Sequence, residues 1–434
     1  MRTPRYLAWI LTGLLCSAML VASSVRADDD ERGEEEKSEA AVEAGAEVDH
    51  CVACHTEEDM LPEGHLAADI HMKPGLSCAG CHGGNPASDD PDVAMSKAAG
   101  FRGVPDKKDI PAFCGRCHSN IEFMRAYQPR IPTDQVDQYF TSVHGHRLKQ
   151  GDKKVADCTS CHTSHGILPA SDTRSSVHAL NVPGTCGHCH GDADYMASYG
   201  IPTDQLARFK TSVHGVALLD NQDTGAPACN DCHGNHGATP PGVTSIGQVC
   251  GHCHVNNMQY FKDSRMGRAF AEEGYHDCEE CHGNHGVQKT SDAMVGTGGD
   301  AVCVNCHSDG DTGFEAAARI HSELTGLDAL YAQAVTAQEE VQRIGMDDVD
   351  IAFMLQESHQ SLIQARTLVH TFDPERVKTK TDEGAGKAKE AIEAAAAQVK
   401  DFHFRRRGFR LATLFTTVLA IALFMYIRQM EAKR

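Results

Sequence analysis

Two uncharged apolar runs stand at opposite ends of the chain and predict different elements. Leu7 to Ala22 follows Arg2 and Arg5 and leads into Val25-Arg26-Ala27, a small-residue cleavage site. Basic start, apolar centre and cleavage site make residues 1–27 a secretory signal peptide, with retention as an uncleaved anchor as the alternative. Leu411 to Ile427 is apolar for 17 residues, the short end of a bilayer span, and Phe409 and Tyr426 suit its interfaces. Residues 409–428 read as a transmembrane helix and 429–434 as a cytoplasmic tail; a core helix is the rival reading. Export of the bulk of the chain sets Arg405, Arg406, Arg407 and Arg410 on the outer face, against the positive-inside tendency, which a domain already translocated by its signal overrides.

Helical patterning is confined to the segment before the second run. From Gly313 the residues Ala, Glu, Gln and Leu dominate, and residues 313–408 read as a helical domain of about three helices. The first spans Gly313 to Arg343 and ends near Gly345, and the second runs Asp348 to Thr371 with Asp347 or Asp348 as cap. The third starts at Pro374 behind the N-cap Asp373. Gly384 and Gly386 are expected to weaken it before AKEAIEAAAAQVKDF resumes it. Residues 28–49 are rich in Glu, Asp and Ala and read as a disordered acidic tether.

The formal charge of −20 argues against a nucleic-acid partner. Nineteen cysteines in an exported chain ordinarily suggest a disulfide scaffold, but their spacing says otherwise. Eighteen of them form nine Cys-x-x-Cys-His motifs. In chain order these are Cys51, Cys54 and His55; Cys78, Cys81 and His82; Cys114, Cys117 and His118; Cys158, Cys161 and His162; and Cys186, Cys189 and His190. Then come Cys229, Cys232 and His233; Cys250, Cys253 and His254; Cys278, Cys281 and His282; and Cys303, Cys306 and His307. Only Cys16, in the signal, is left over. The motif is the attachment signature of c-type haem, with two thioether links and an adjacent imidazole for the iron. Zinc, the rival, gives no reason for a His after every second Cys. Nine covalent haems and their iron are therefore expected as cofactors. Residues 50–312 hold roughly one motif per 29 residues, too little chain for a conventional apolar core. The fold class expected is mainly α and irregular: short helices and loops wrapped around haem, then the helical segment and the C-terminal span.

The haem region repeats in units of two motifs. Cys114 to Gly166 carries FTSVHG and then CTSCHTSHG; Cys186 to Gly237 carries FKTSVHG and then CNDCHGNHG; Cys250 to Gly286 carries FKDSRMG and then CEECHGNHG. The motif histidines supply one axial ligand each. Candidates for the opposite side stand in recurring contexts or flank a motif: His71, His144, His165, His178, His214, His236, His276, His285 and His321, with His50 and His65 in reserve. Met266 aligns with His214. It either gives one haem His/Met ligation and a higher potential, or is merely packed, with His276 as the ligand. His188 and His252 sit between motif cysteines and read as spacer. His359 and His370 share a face of the second predicted helix about 16 Å apart; each either caps a haem or is an exposed helical residue, the latter being favoured. His403, beside the arginines, has no assigned part.

SVHG, CHGNHG and closely spaced CxxCH pairs, over residues 50–321, resemble the periplasmic multihaem cytochromes c of the cytochrome c-554, octahaem reductase and NapC/NirT-type group. The resemblance implies stacked haem pairs, bis-His ligation and electron transfer along the array. Two features depart from it. The NapC-type anchor is N-terminal, whereas here the clear anchor is C-terminal, and the CxxCK motif of pentahaem nitrite reductases is absent. The function expected is a membrane-anchored periplasmic cytochrome of anaerobic respiration, carrying electrons between a quinone-linked membrane complex or quinol dehydrogenase and periplasmic redox proteins or terminal acceptors. The alternative is an enzyme, a multihaem reductase of nitrite, hydroxylamine or tetrathionate with one open haem. No residue is assigned a catalytic role.

Overall fold

In a computed structural model the residues described are 49–58, 60, 61, 64–238, 243 and 246–433. The signal peptide, Cys16 and all but the last residue of the acidic tether lie outside them. The described residues form helices, turns and loops without a β-strand. They divide into two compact units. One takes residues up to Ile131 together with Ala156–Pro169, and the other takes Pro132–Val155 and everything from Ala170 onward. The first holds four Cys-x-x-Cys-His motifs and the second holds five.

Most motifs coincide with one short helical turn, and the sequence explains where each begins and ends. Residues i, i+3 and i+4 share a helix face, so a turn of helix sets both thiols and the imidazole on one side. Cys78–His82, Cys158–His162 and Cys229–His233 are such turns, while Ile110–His118 and Val182–His190 carry the motif at the end of a longer helix begun by a proline. Asp49 and Asp157 cap two motif helices: Asp49 accepts the Cys51 amide at 3.0 Å and Asp157 the Thr159 amide at 2.8 Å. After His82, His233 and His282 the chain turns away through Gly83, Gly234 and Gly283 at positive φ, and after His162 Thr163 adopts φ 66°. That reversal throws the next few residues clear of the motif.

The second unit contains a corner that recurs three times. Helix α1 (Gln135–Tyr139) meets α2 (Val143–Lys149), α3 (Gln205–Thr211) meets α4 (Val213–Gly215), and α5 (Val255–Asp263) meets α6 (Arg265–Glu273). At each junction a serine caps the second helix. Ser142, Ser212 and Ser264 accept the amides of Gly145, Gly215 and Gly267 at 3.1, 3.0 and 2.9 Å. The same hydroxyls donate to the carbonyls of Tyr139, Phe209 and Phe261 at 2.7, 2.7 and 2.6 Å. Glycine is required because a Cβ there would lie 2.1, 1.9 and 2.1 Å from those same carbonyl oxygens. The corner therefore fixes the residue just before the glycine: His144, His214 and Met266.

Conventional hydrophobic packing is concentrated in a three-helix bundle: α7 (Thr312–Arg343), α8 (Val349–Leu368) and α9 (Pro374–Glu431). One layer joins Ile320, Leu324, Leu327, Leu362, Ala365 and Val377, and a second joins Ala334, Val341, Ile351, Leu355, Ala388, Ala391 and Ala395. Each large side chain so buried contributes about 1.5–3 kcal/mol. The helix limits match the sequence expectation closely, and Asp373 caps α9 through the Glu375 and Arg376 amides. Two details differ. Asp348 spends its carboxylate on the Gln338 side chain at 2.9 Å and on Gln342, while Asp347 accepts the Val349 amide. Gly384 does not interrupt α9: it lies where the helices approach closely, since a Cβ would stand 2.9 Å from both Leu327 and Ser361.

Beyond Asp401 the helix α9 continues without a break into the apolar run, whose residues are exposed and long enough to cross a membrane. Anchor and bundle are thus one rod. Substituting Gly215→Ala is expected to destabilise the loaded protein by about 2–3 kcal/mol or more, because backbone must move to admit the methyl group. A lowered thermal midpoint checks this, with Gly326→Ala, whose site is open and lies inside α7, as the comparison that keeps or raises it.

Candidate haem-binding centres

The motif cysteines line up in chain order within each unit. In the first, Cys51 lies within electrostatic reach of Cys78, Cys81 of Cys117, and Cys114 is hydrogen-bonded to Cys158. In the second, Cys186 bonds Cys229, Cys232 senses Cys250 and Cys253, Cys250 bonds Cys278, and Cys281 senses Cys303 and Cys306. None of these cysteines is in a disulfide. Further ties hold consecutive motifs together: Arg102 and Arg116 donate to the Cys81 carbonyl at 3.1 and 2.6 Å.

The second thiols of the motifs differ in exposure. Cys54, Cys81, Cys253 and Cys306 are exposed, whereas Cys117, Cys161, Cys189, Cys232 and Cys281 are half-buried. The exposed thiols belong to the first, second, seventh and ninth motifs, and the short helices and loops that carry them are those the sequence predicts. At that first site Cys54 and His55 lie on the helix His50–Glu57. His55 is half-buried there, and its carbonyl accepts the Met60 amide at 3.0 Å. Cys161 sits on its turn directly before His162, and Cys189 lies within hydrogen-bonding reach of the Tyr195 hydroxyl.

In both units motif histidines face a second histidine. An imidazole nitrogen lies about 2 Å from the metal it ligates and its ring centroid roughly 1.1 Å further, so trans imidazoles on one ion have centroids about 6.2 Å apart. His118 stands 5.9 Å from His71 and His82 6.2 Å from His165. In the second unit His190 stands 6.1 Å from His144, His254 6.3 Å from His214, His233 5.7 Å from His285, and His282 6.1 Å from His370. Spacings of this size match that separation and fit one iron between each pair.

The ring orientations fit as well. Nδ1 of His82 donates to the Gly103 carbonyl at 2.9 Å, that of His71 to Asp69 at 3.0 Å, and that of His370 to the Thr367 carbonyl at 3.0 Å. His307 gives its Nδ1 proton to Asp311 and His321 to the Asp292 carbonyl, both at 3.0 Å. Each such bond fixes the tautomer and leaves the Nε2 lone pair for a metal, the outer-shell arrangement that metal-bound imidazoles need. Loss of water around the rings lowers the pKa of His144, His190, His214, His233, His282, His285 and His370. That holds them neutral, the form that ligates. His144 and His233 combine this with open ring surface, so they are recessed but not sealed.

Several expected ligands are placed otherwise. His178 is buried, but its Nδ1 accepts the Leu180 amide at 3.3 Å; the proton is then on Nε2 and no lone pair faces outward. His276 is exposed, its amide donating to Glu280 at 3.1 Å. His236 is half-buried, with desolvation lowering its pKa against the opposing charge of Asp134. His50 opens the helix of the first motif and His65 a short helix that follows. His188, His252 and His403 are exposed. His370 is the residue that sequence reasoning undervalued. It is not on the α8 face of His359; a 3₁₀ turn, Val369–Thr371, turns it off the helix toward His282, while His359 stacks on Tyr331 at 5.3 Å. Phe372 takes φ 51° just after this turn, a departure that the sequence pattern did not signal.

Comparison with known proteins agrees with this chemistry. Residues 70–191 match the family model for cytochrome c3, and residues 270–312 match the model for a doubled CXXCH motif. The chain carries a cytochrome c3-type multihaem domain. Haem c, covalently attached and iron-bearing, is its cofactor, and electron transfer by haem is what such a domain does. No curated protein and no solved structure matches the chain.

His370→Leu is expected to convert one haem of the loaded protein from low-spin to high-spin, whereas His359→Leu leaves the spectrum unchanged. Electron paramagnetic resonance of the oxidised proteins reads the difference, and equal spectra would remove His370 from the ligand set.

Proposed function

We propose that the chain is a membrane-anchored, extracytoplasmic electron carrier that holds nine haems c in the order of its motifs and conducts along them. The observation that carries this reading is the approach of motif cysteines to those of the next motif, combined with histidine pairs at iron-bridging separation. When bound, the haems supply reversible one-electron chemistry. The chain supplies fixed order, neutral imidazole ligands and covalent retention on the outer side of the membrane. On this reading the protein serves the periplasmic face in anaerobic respiration, fed by a quinol dehydrogenase or other quinone-reactive complex and emptied by periplasmic redox proteins.

The bundle limits how that exchange happens. His370 lies four positions before the start of α9 at Pro374, and Leu411 lies 37 positions after it. At about 1.5 Å per residue this is roughly 55 Å along the helix. Even at a tilt of about 40° the haem site at His282 and His370 stands some 42 Å from the apolar span. That distance supports a reading in which a membrane partner carries electrons from quinone up to this site. α9 is then a stalk, and the chain's own span is an anchor, not a quinone site.

The mature exported protein should weigh nine haem groups more than its polypeptide, and its oxidised spectrum should be dominated by low-spin haem. A mass short of nine haems would reduce the array. A high-spin signal that shifts on adding nitrite or hydroxylamine would instead favour the reductase reading, with one haem open to substrate.

A further inference from the structure

We infer that Met266 is the second axial ligand of the haem held by Cys303, Cys306 and His307, which makes this the most oxidising haem of the second unit; the inference rests on the haem array proposed above. Two registers run through the histidine pairs. In one, a residue lying between an odd motif and the next even one faces the following odd motif. His71, between the first and second motifs, faces His118 of the third; His144 faces His190 of the fifth; His214 faces His254 of the seventh. In the other, a histidine three residues after an even motif faces the preceding even motif, as His165 faces His82 and His285 faces His233. The eighth motif has no later even motif to draw on, and His370 from the bundle faces its His282.

Only the first register serves odd motifs, and its next step runs from the element between the seventh and eighth motifs to the ninth. That element is the corner of α5 and α6. It reproduces the His144 and His214 corners bond for bond, with Ser264 bridging the Phe261 carbonyl and the Gly267 amide, and it places Met266 where they place histidine. Met266 is half-buried there. On the other side, His307 is committed for ligation. Asp311 takes its Nδ1 proton, and its ring lies so close over Gly313 that a Cβ would come within 2.2 Å. A neutral thioether favours ferrous over ferric iron relative to a second imidazole, so the exchange of His for Met raises the potential of this one site. Being last in order, the site then acts as the electron sink of its unit, beside the bundle.

The test uses the full-length loaded protein and the variants Met266→His, Met266→Leu and His321→Leu. Met266→His writes into the corner the residue that two sister corners already hold, so it is compatible with the fold. Wild type is expected to show the far-red thioether-to-ferric charge-transfer band. Both Met266 variants should lose it completely, and His321→Leu should keep it. Met266→His should remain low-spin while the highest-potential component of a redox titration moves down, and Met266→Leu should gain one high-spin haem. A wild-type protein without the band, or Met266 variants that leave band and titration unchanged, would overturn the assignment. So would a high-spin haem appearing in His321→Leu, because His321, with Nδ1 bound to Asp292, is the competing ligand. Haem count by mass separates the two levels: nine haems without the band reject Met266 alone, and a deficit of haem rejects the array.

Discussion

Six-coordinate iron imposes the constraint on which the haem region depends. It wants two axial ligands on opposite faces of a flat ring, and the Cys-x-x-Cys-His motif supplies only one. The second must come from elsewhere, held at about 6 Å from the first. Within each unit histidines of one two-motif repeat stand opposite motif histidines of another: His144 faces His190 of the fifth motif and His285 faces His233 of the sixth. Iron held between such pairs would cross-link consecutive repeats. This matters because the protein core here is thin, with small clusters such as Val182, Leu218 and Ala228 in place of a continuous apolar interior. On the reading proposed above, ligation and thioether bonds would take the place that hydrophobic burial holds in the bundle.

The bundle obeys ordinary rules, and its physical role is spacing. Two apolar layers hold α7, α8 and α9 together, and α9 continues into the apolar run, so on the proposed reading a helical rod would separate chemistry from bilayer. Its upper end is not passive. Phe372 packs edge-on against Phe261 at 6.3 Å, Arg366 pairs with Asp292 in the loop before the ninth motif at 2.8–2.9 Å, and His370 faces the eighth motif. The stalk is thus keyed into the last two haem sites.

What the sequence made legible follows from how local each feature is. Motifs, helix caps, the Ser-x-x-Gly corner and the terminal apolar helix are set by residues within a few positions of one another, so spacing alone exposes them. Partner choice is not local. Which of the spare histidines meets which motif depends on register between repeats, so His178 and His276 looked as eligible as His165 and His285. His178 is distinguished only by the Leu180 amide on its Nδ1, and His276 by its exposure. Cover over the thiols is not local either, and nothing in their spacing separates the open Cys54 from the half-buried Cys161 and Cys189. His370 was hidden by helical periodicity, because a reading at 100° per residue assigns it the face of His359 unless the helix is known to tighten at Val369. Gly384 misled in the opposite direction: low helix propensity was visible, while the close approach of Leu327 and Ser361 that rewards it was not.

The central claim is that axial ligands are shared between repeats in a fixed register. A density map of the haem-loaded protein, from crystals or single particles, tests it most directly. The account predicts iron midway between His190 and His144, between His254 and His214, and between His233 and His285. Irons capped instead by histidines from within their own two-motif repeat would contradict it.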